Sequence, residues 1–260
     1  MGISINTNLA ANIAARNVGA ASSSLATSME RLSSGLRINK AADDAAGLGI
    51  ASRMRGTLSA LDQADRNAQD AISLVQTADG ALGDVQKVLN RMRDLALQKN
   101  NDVYSTEDVD AIDAESDQLA QELTRLSGTE FNGQALFGTS GCLTFQIGAN
   151  ATDTIDYAKV DLSSVVSLSS SSTVGDLDTA IQGVTAARST IGAMQNRLSI
   201  TVDGIGTYRD NLLAAKSRIE DVDVANEMAN FTKLQIRQQA AVSMLAQANQ
   251  SPSIALALLR

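Results

Sequence analysis

Apolar residues recur at three- and four-residue steps along most of this chain, and in two stretches the rhythm persists unusually long. The first runs through Leu58, Leu61, Ala68, Ile72, Val75, Leu82, Val85, Leu89, Met92 and Ala96. That is a heptad seam, and it predicts a helix sustained to Lys99. At 1.5 Å per residue, positions 58–99 make a rod of about 63 Å. The second stretch runs through Leu177, Ile181, Val184, Ala187, Ile191, Met194, Leu198, Val202, Ile205, Leu212 and Ile219. A shorter stripe, Ile112, Leu119, Leu123 and Leu126, opens with Ser105 or Thr106 ahead of Glu107-Asp108 and stops at Gly128. This is a helix start written in capping residues. The pattern therefore predicts helices over about 45–99, 106–128 and 175–217.

The middle of the chain changes period. Leu143, Phe145 and Ile147 alternate with Thr144 and Gln146, and Ile155 and Tyr157 resume the alternation after Gly148-Ala149-Asn150. Alternation of this kind predicts a β-hairpin region within 131–162. The tract that follows, with Ser163, Ser164, Ser167, Ser169, Ser170, Ser171, Ser172 and Thr173, reads as an exposed loop. At the front, residues 6–33 read as an amphipathic helix ended by Ser33-Ser34-Gly35. An extended linker, Leu36 to Lys40, follows, and Asp43 and Asp44 are placed to start the next helix.

Both ends carry stripes with no partner of their own. Leu9, Ile13, Leu25, Met29, Leu32 and Leu36 mark the first; Leu234, Val242, Leu245, Ile254, Leu256, Leu258 and Leu259 mark the last. A helix this apolar must bury its stripe. The economical solution packs the first helix on the last and the pair on further copies of the chain, which describes an assembling subunit.

Composition narrows the function. Aromatic residues are 3% of the chain, Trp is absent, and Pro252 is the single proline. Such a core suits close helix packing and does not suit an aromatic-lined ligand pocket. The net charge of −8 disfavours nucleic-acid binding. The absence of His removes the commonest general base and metal ligand, and Cys142, the lone cysteine, has no His to activate it. No catalytic residue, cofactor or metal site is expected. Asp43 with Asp44, and Glu107 with Asp108, are adjacent carboxylates, but neighbours on a helix point about 100° apart and do not converge. No run of about eighteen apolar residues predicts a membrane span. The opening residues lack the basic start and apolar core of a cleaved signal peptide.

Specific motifs now add to this reading. Ser33-Ser34-Gly35-Leu36-Arg37-Ile38-Asn39-Lys40-Ala41-Ala42-Asp43-Asp44-Ala45-Ala46-Gly47 resembles the amino-terminal signature of bacterial flagellins. Ile3-Ser4-Ile5-Asn6-Thr7-Asn8 is similar to their start. Phe131-Asn132-Gly133, Gln146-Ile147-Gly148-Ala149-Asn150, Arg218-Ile219-Glu220-Asp221-Val222-Asp223 and Leu245-Ala246-Gln247-Ala248-Asn249-Gln250 resemble further landmarks of that family in the same order.

The resemblance implies a mainly α fold: an elongated antiparallel helical bundle with a small β-hairpin region and paired terminal helices. It implies an inner terminal-helix domain of 1–44 plus 218–260, a rod domain of 45–217, and no separate outer domain. It implies a subunit that polymerises into the flagellar filament, outside the cell, with the terminal helices lining an inner tube. Export would use the flagellum's own channel. Expected partners are further copies of the chain, hook-associated and cap proteins, and an export chaperone. The alternative within the same machinery is a hook–filament junction protein.

Leu89 to Ala96 resembles the segment that many flagellins present to the flagellin-sensing Toll-like receptor, with Arg91, Leu95 and Glu115 at the matching positions. Asn90 and Asp94 depart from the Gln and Glu common there. The Ser/Thr tract resembles a region that often carries O-linked glycans, and Asn150-Ala151-Thr152 fits the N-glycosylation triplet. The plain alternatives are a solvated ion pair and an unmodified surface.

Overall fold

A computed structural model describes residues 7–258, with side chains to residue 250. The chain is mainly α. In order it forms α1 (Leu9–Ser34), α2 (Ala45–Lys99), α3 (Thr106–Ser127), β1 (Glu130–Phe131), β2 (Gln134–Ala135), β3 (Cys142–Gln146), β4 (Thr154–Ala158), α4 (Ser163–Val166), α5 (Val174–Glu220) and α6 (Val224–Leu258). No helix among the described residues is long and apolar enough to cross a membrane.

The chain forms two compact units. One takes the residues up to Gly56 and from Leu212 onward, the other Thr57–Asn211. The division falls inside α2 and α5, not at the turns near 44 and 218 where the sequence suggests breaks. The first turns of α2 join the terminal unit because Ala51 and Ile38 are buried there.

The middle unit follows its heptads. Leu61, Ala68, Val75, Leu82, Val85, Leu89 and Met92 of α2 are buried, with Ala64, Ala71 and Ala78 filling the steps between. From Ala71 onward these α2 residues share one core cluster with Leu123 and Leu126 of α3, with Leu177, Val184, Ile191 and Leu198 of α5 and with residues of the hairpins. Small residues on the α2 seam let neighbouring backbones approach closely.

Two antiparallel hairpins lie between α3 and α4. β1 pairs with β2 across Asn132-Gly133, where both residues have positive φ, 52° and 74°. That is the pattern of a tight two-residue hairpin turn. β3 pairs with β4, Phe145 opposite Ile155 and Leu143 opposite Tyr157. Tyr157 is buried and donates its hydroxyl to the Leu136 carbonyl at 3.1 Å. Burial pushes its phenol up to about 12.

The expected exposed loop over 163–173 is corrected. Ser163–Val166 is a short helix, and Val165 and Leu168 are buried in the core. Apolar residues three apart among the serines fold the tract back onto the bundle.

Helix starts are built as the sequence implies. Ser105 and Asp108 form a capping box on α3. Thr173 and Asp176 make the same reciprocal bonds on α5. Asp44 accepts from the Gly47 N–H at 2.8 Å at the start of α2, and Asp223 from those of Ala225 and Asn226 at the start of α6. Asp43, expected beside Asp44 as a helix start, instead accepts from the Asn39 and Lys40 N–H groups of the preceding linker. Gly47 leaves room for the Asp44 cap: a Cβ there would press on the Asp44 carboxylate and the end of the Ile38 side chain, and one of them would have to move.

The two ends of the chain are strapped together where α1 gives way to α2 and α5 to α6. Gly35 closes α1 in the left-handed region, φ 72°, which glycine adopts without strain. Its carbonyl accepts from Val222 N–H at 3.0 Å, and Arg37 N–H donates to the Glu220 carbonyl at 2.7 Å. The Glu220 side chain is 2% exposed and ion-paired with Arg55 at 2.5 Å and Lys216 at 3.3 Å. A buried carboxylate survives only with such partners.

Two outcomes follow from these bonds. Arg55→Ala leaves the Glu220 charge buried with Lys216 alone and should cost about 2 kcal/mol in denaturant unfolding, more than Glu220→Gln, which removes the charge itself. The second concerns acid. Asp43, held by the Lys40 N–H, Asp108 by Ser105, Asp176 by Thr173 and Asp223 by the Asn226 N–H all lie below the ordinary carboxylate range. Groups depressed in the fold stabilise it above their unfolded pKa and lose that contribution as pH falls through the folded value. The melting temperature should therefore hold steady down to about pH 5, drop below about pH 4, and drop less steeply in Asp108→Asn/Asp176→Asn.

Candidate self-assembly surface

Within the terminal unit α1 and α6 pack along each other, antiparallel. Burial follows a strict heptad on both. On α1 the inward positions are Ala11, Ala14, Val18, Ala21, Leu25, Ser28 and Leu32. On α6 they are Glu227, Phe231, Leu234, Gln238, Ala241, Leu245 and Ala248. Steps of three and four are those of a coiled-coil seam. The seam mixes alanines with Leu25, Leu32, Phe231, Leu234 and Leu245, and its polar members find each other. Ser28 donates its hydroxyl to the Glu227 carboxylate. Gln238 donates to the Ser22 hydroxyl at 3.0 Å, and Asn8 to the Ala248 carbonyl at 2.8 Å.

This arrangement divides the expected assembly residues. Leu25, Leu32, Leu234 and Leu245 are half-buried in the seam within one chain. Leu9, Ile13, Met29 and Val242 are exposed, at 69%, 43%, 56% and 51%. Leu256 and Leu259 lie outside the residues whose side chains are described. The heptad on small residues was the signal missed: reading the large apolar residues as one stripe merges two faces. Met228, Ile236 and Met244, which the sequence reading passed over, are also exposed apolar residues of α6.

One face of the pair is hollowed into a groove of about 710 Å³. Its α1 wall is Ala10, Ile13, Ala14, Asn17, Ala20, Ala21 and Ser24; its α6 wall is Leu234, Arg237, Ala240, Ala241, Met244 and Ala248. Alanines make it shallow and apolar, and Arg237 gives it one positive group. Exposed apolar surface of this kind marks an interaction site.

The residues matched to the receptor segment are placed differently. Arg91 and Glu115 are exposed and paired with each other, 2.6 Å apart, across α2 and α3. Leu95 is corrected: it is 2% exposed and faces the core, because it continues the buried steps Leu89 and Met92. It offers no surface contact. In the Ser/Thr tract, Ser163, Ser164, Ser167, Ser171 and Thr173 are exposed, while Ser169, Ser170 and Ser172 are half-buried. Asn150 is exposed, and its side-chain amide donates to Asp153 at 3.0 Å.

Comparison with known proteins agrees with this architecture. Residues 5–141 match the family model of the bacterial flagellin N-terminal helical region, and residues 174–259 that of the C-terminal helical region. A flagellin of Halalkalibacterium halodurans is 45% identical, over 98% of this chain and 99% of the relative. A flagellin of Bacillus subtilis is 39% identical over the same shares. The crystal structure of Bacillus cereus flagellin aligns with a TM-score of 0.50 at 32% identity, covering 58% of this chain and 94% of that one. A hook-associated protein structure from Vibrio parahaemolyticus aligns with a TM-score of 0.60 at 14% identity, covering 69% of this chain and all of that one, a likeness of fold alone. With both family regions matched in order and relatives aligned end to end, the chain belongs to the bacterial flagellins, structural subunits of the flagellar filament.

Proposed function

We propose that the subunit meets its copies through the outward apolar residues of α1 and α6 and the groove between them, so that the terminal unit packs into the filament's inner tube. The observation that carries this reading is the exposure of Leu9, Ile13, Met29, Ile236, Val242 and Met244 on helices whose inward seam positions are already taken by other residues. Burying a large apolar side chain is worth about 1.5–3 kcal/mol. Many such residues on one unit supply a substantial drive to associate. A filament grows through heterologous contacts, in which each patch meets a different patch on the next copy. A groove on one face and protruding apolar side chains elsewhere on the same helix pair suit that geometry. Indefinite growth of this kind is the role of a filament subunit more than of a hook–filament junction protein. Export through the flagellar channel, with a chaperone holding the terminal helices, is the companion reading.

Recognition by the flagellin-sensing receptor, if this chain engages it, rests on Arg91 and Glu115 and not on Leu95.

Ile13→Asp or Met244→Asp should abolish long filaments in salt-induced assembly followed by electron microscopy and sedimentation. The middle unit should melt as before, since neither residue belongs to its core. Long filaments from either variant would refute the groove as an assembly contact. For the receptor, Arg91→Ala/Glu115→Ala should lower reporter-cell signalling by about tenfold, the loss of one anchor pair. Leu95→Ala should instead lower stability by about 2–5 kcal/mol, as a core truncation does.

A further inference from the structure

The α1–α6 seam poses a problem of alignment. Ala11, Ala14 and Ala21 on one helix, and Ala241 and Ala248 on the other, are nearly interchangeable partners. Sliding one helix past the other by a heptad would still set small apolar residues against apolar ones. Leu25, Leu32, Phe231, Leu234 and Leu245 add a preference by size, but the polar contacts separate the registers most sharply, because burying a carboxylate without a partner costs more than a misfit of apolar side chains. In the observed pairing Ser28 meets Glu227, which is 9% exposed, and Ser22 meets Gln238. One heptad away, Glu227 would face Ala21 or Gly35, and Gln238 would face Ala15 or Met29. A carboxylate would then be buried with no donor, the costliest kind of mismatch.

The strap at Gly35–Val222 anchors the pair at one end, and at the other Asn8 donates to the Ala248 carbonyl, a backbone group that every turn of α6 repeats. Beyond the strap the seam runs the length of α1. The residues between Glu220 and Val224 already lie outside the helices, so a slipped alignment needs only a heptad of α6 to loop out beside them.

We infer that Ser28–Glu227 and Ser22–Gln238 are registry contacts, which select one alignment of α1 on α6 and so place Ile13 opposite Met244 across the groove. The inference deepens the assembly reading of that groove, but its evidence is the alignment of two helices within one chain. Glu227 and Gln238 act as positioning residues. They are retained in a seam that apolar residues would fill more stably, because polar seam positions specify register at a cost in stability.

The test is oxidative cross-linking of the full chain carrying Cys142→Ser and Ala241→Cys. A second cysteine goes in by Val18→Cys, in register, or by Ala11→Cys or Leu25→Cys, one heptad off. Chains are doped into filaments of unmodified protein, and intrachain disulfides are read on denaturing gels. The in-register pair should outrun both others by about tenfold, and Glu227→Gln, which keeps an acceptor for Ser28, should preserve that ratio. In Ser28→Ala/Glu227→Leu/Gln238→Leu the preference should fall below about threefold with helix content retained. If that variant does not enter filaments, the same ratio is read on the soluble chain. A preserved tenfold preference in either setting overturns the inference, as does its loss in Glu227→Gln. Normal polymerisation of Ile13→Asp and Met244→Asp chains, with the cross-link preference lost only in the triple variant, would remove the groove as an assembly surface and leave the register assignment standing.

Discussion

Everything in the terminal unit depends on which residues α1 and α6 turn toward each other. The seam takes Ala11, Ala14, Val18, Ala21, Leu25 and Leu32 from one helix and Phe231, Leu234, Ala241, Leu245 and Ala248 from the other. Leu9, Met29, Ile236 and Met244 are left outside. A helix pair that buried its largest side chains internally would be a better monomer and a poorer building block.

The middle unit follows the opposite rule. Leu82, Leu89, Met92, Leu123 and Leu198 are all turned inward, and the hairpins add Leu136, Ile155 and Tyr157 to the same cluster. The core closes on itself, and the ion pairs Arg91–Glu115, Lys99–Asp113 and Arg188–Asp79 tie the helix surfaces where solvent reaches them. Pairs so exposed contribute little each. The two units differ in what they leave outside: the terminal helices carry Leu9, Met29, Ile236 and Met244 on their outer faces.

Much of this was legible beforehand, for identifiable reasons. The long helices were visible because nothing but a heptad keeps three- and four-residue steps for so long, and their starts because Ser105–Asp108 and Asp44 are capping residues in capping positions. The hairpin was visible in the alternation from Leu143 to Ile147. What escaped was packing. Leu95 looked like a surface contact because its motif suggested so, yet its spacing from Leu89 and Met92 already placed it inward. Val165 and Leu168 were hidden by surrounding serines, since composition describes a tract and burial is decided residue by residue. The pairing of the first helix with the last was read, and Leu25, Leu32, Leu234 and Leu245 lie in its seam; the alanine steps between them were not, because alanine carries a weak hydrophobic signal. Glu220 gave no sign of burial, because its partners, Arg55 and Lys216, approach it from different segments.

The strap between Gly35 and Val222 also carries a consequence for how the chain comes to be folded. Ser28 must wait for Glu227, 199 residues further on, before its hydroxyl has an acceptor. Translation delivers residues in order. The middle unit, whose segments lie between those two, can therefore condense while α1 is still a single helix without its mate. Closure of such a distant pair is slow, because the loop entropy comes due before any bond rewards it. A nascent molecule accordingly passes through an interval in which its oldest segment stands open, and whatever shields that segment must act before the last residues have left the ribosome.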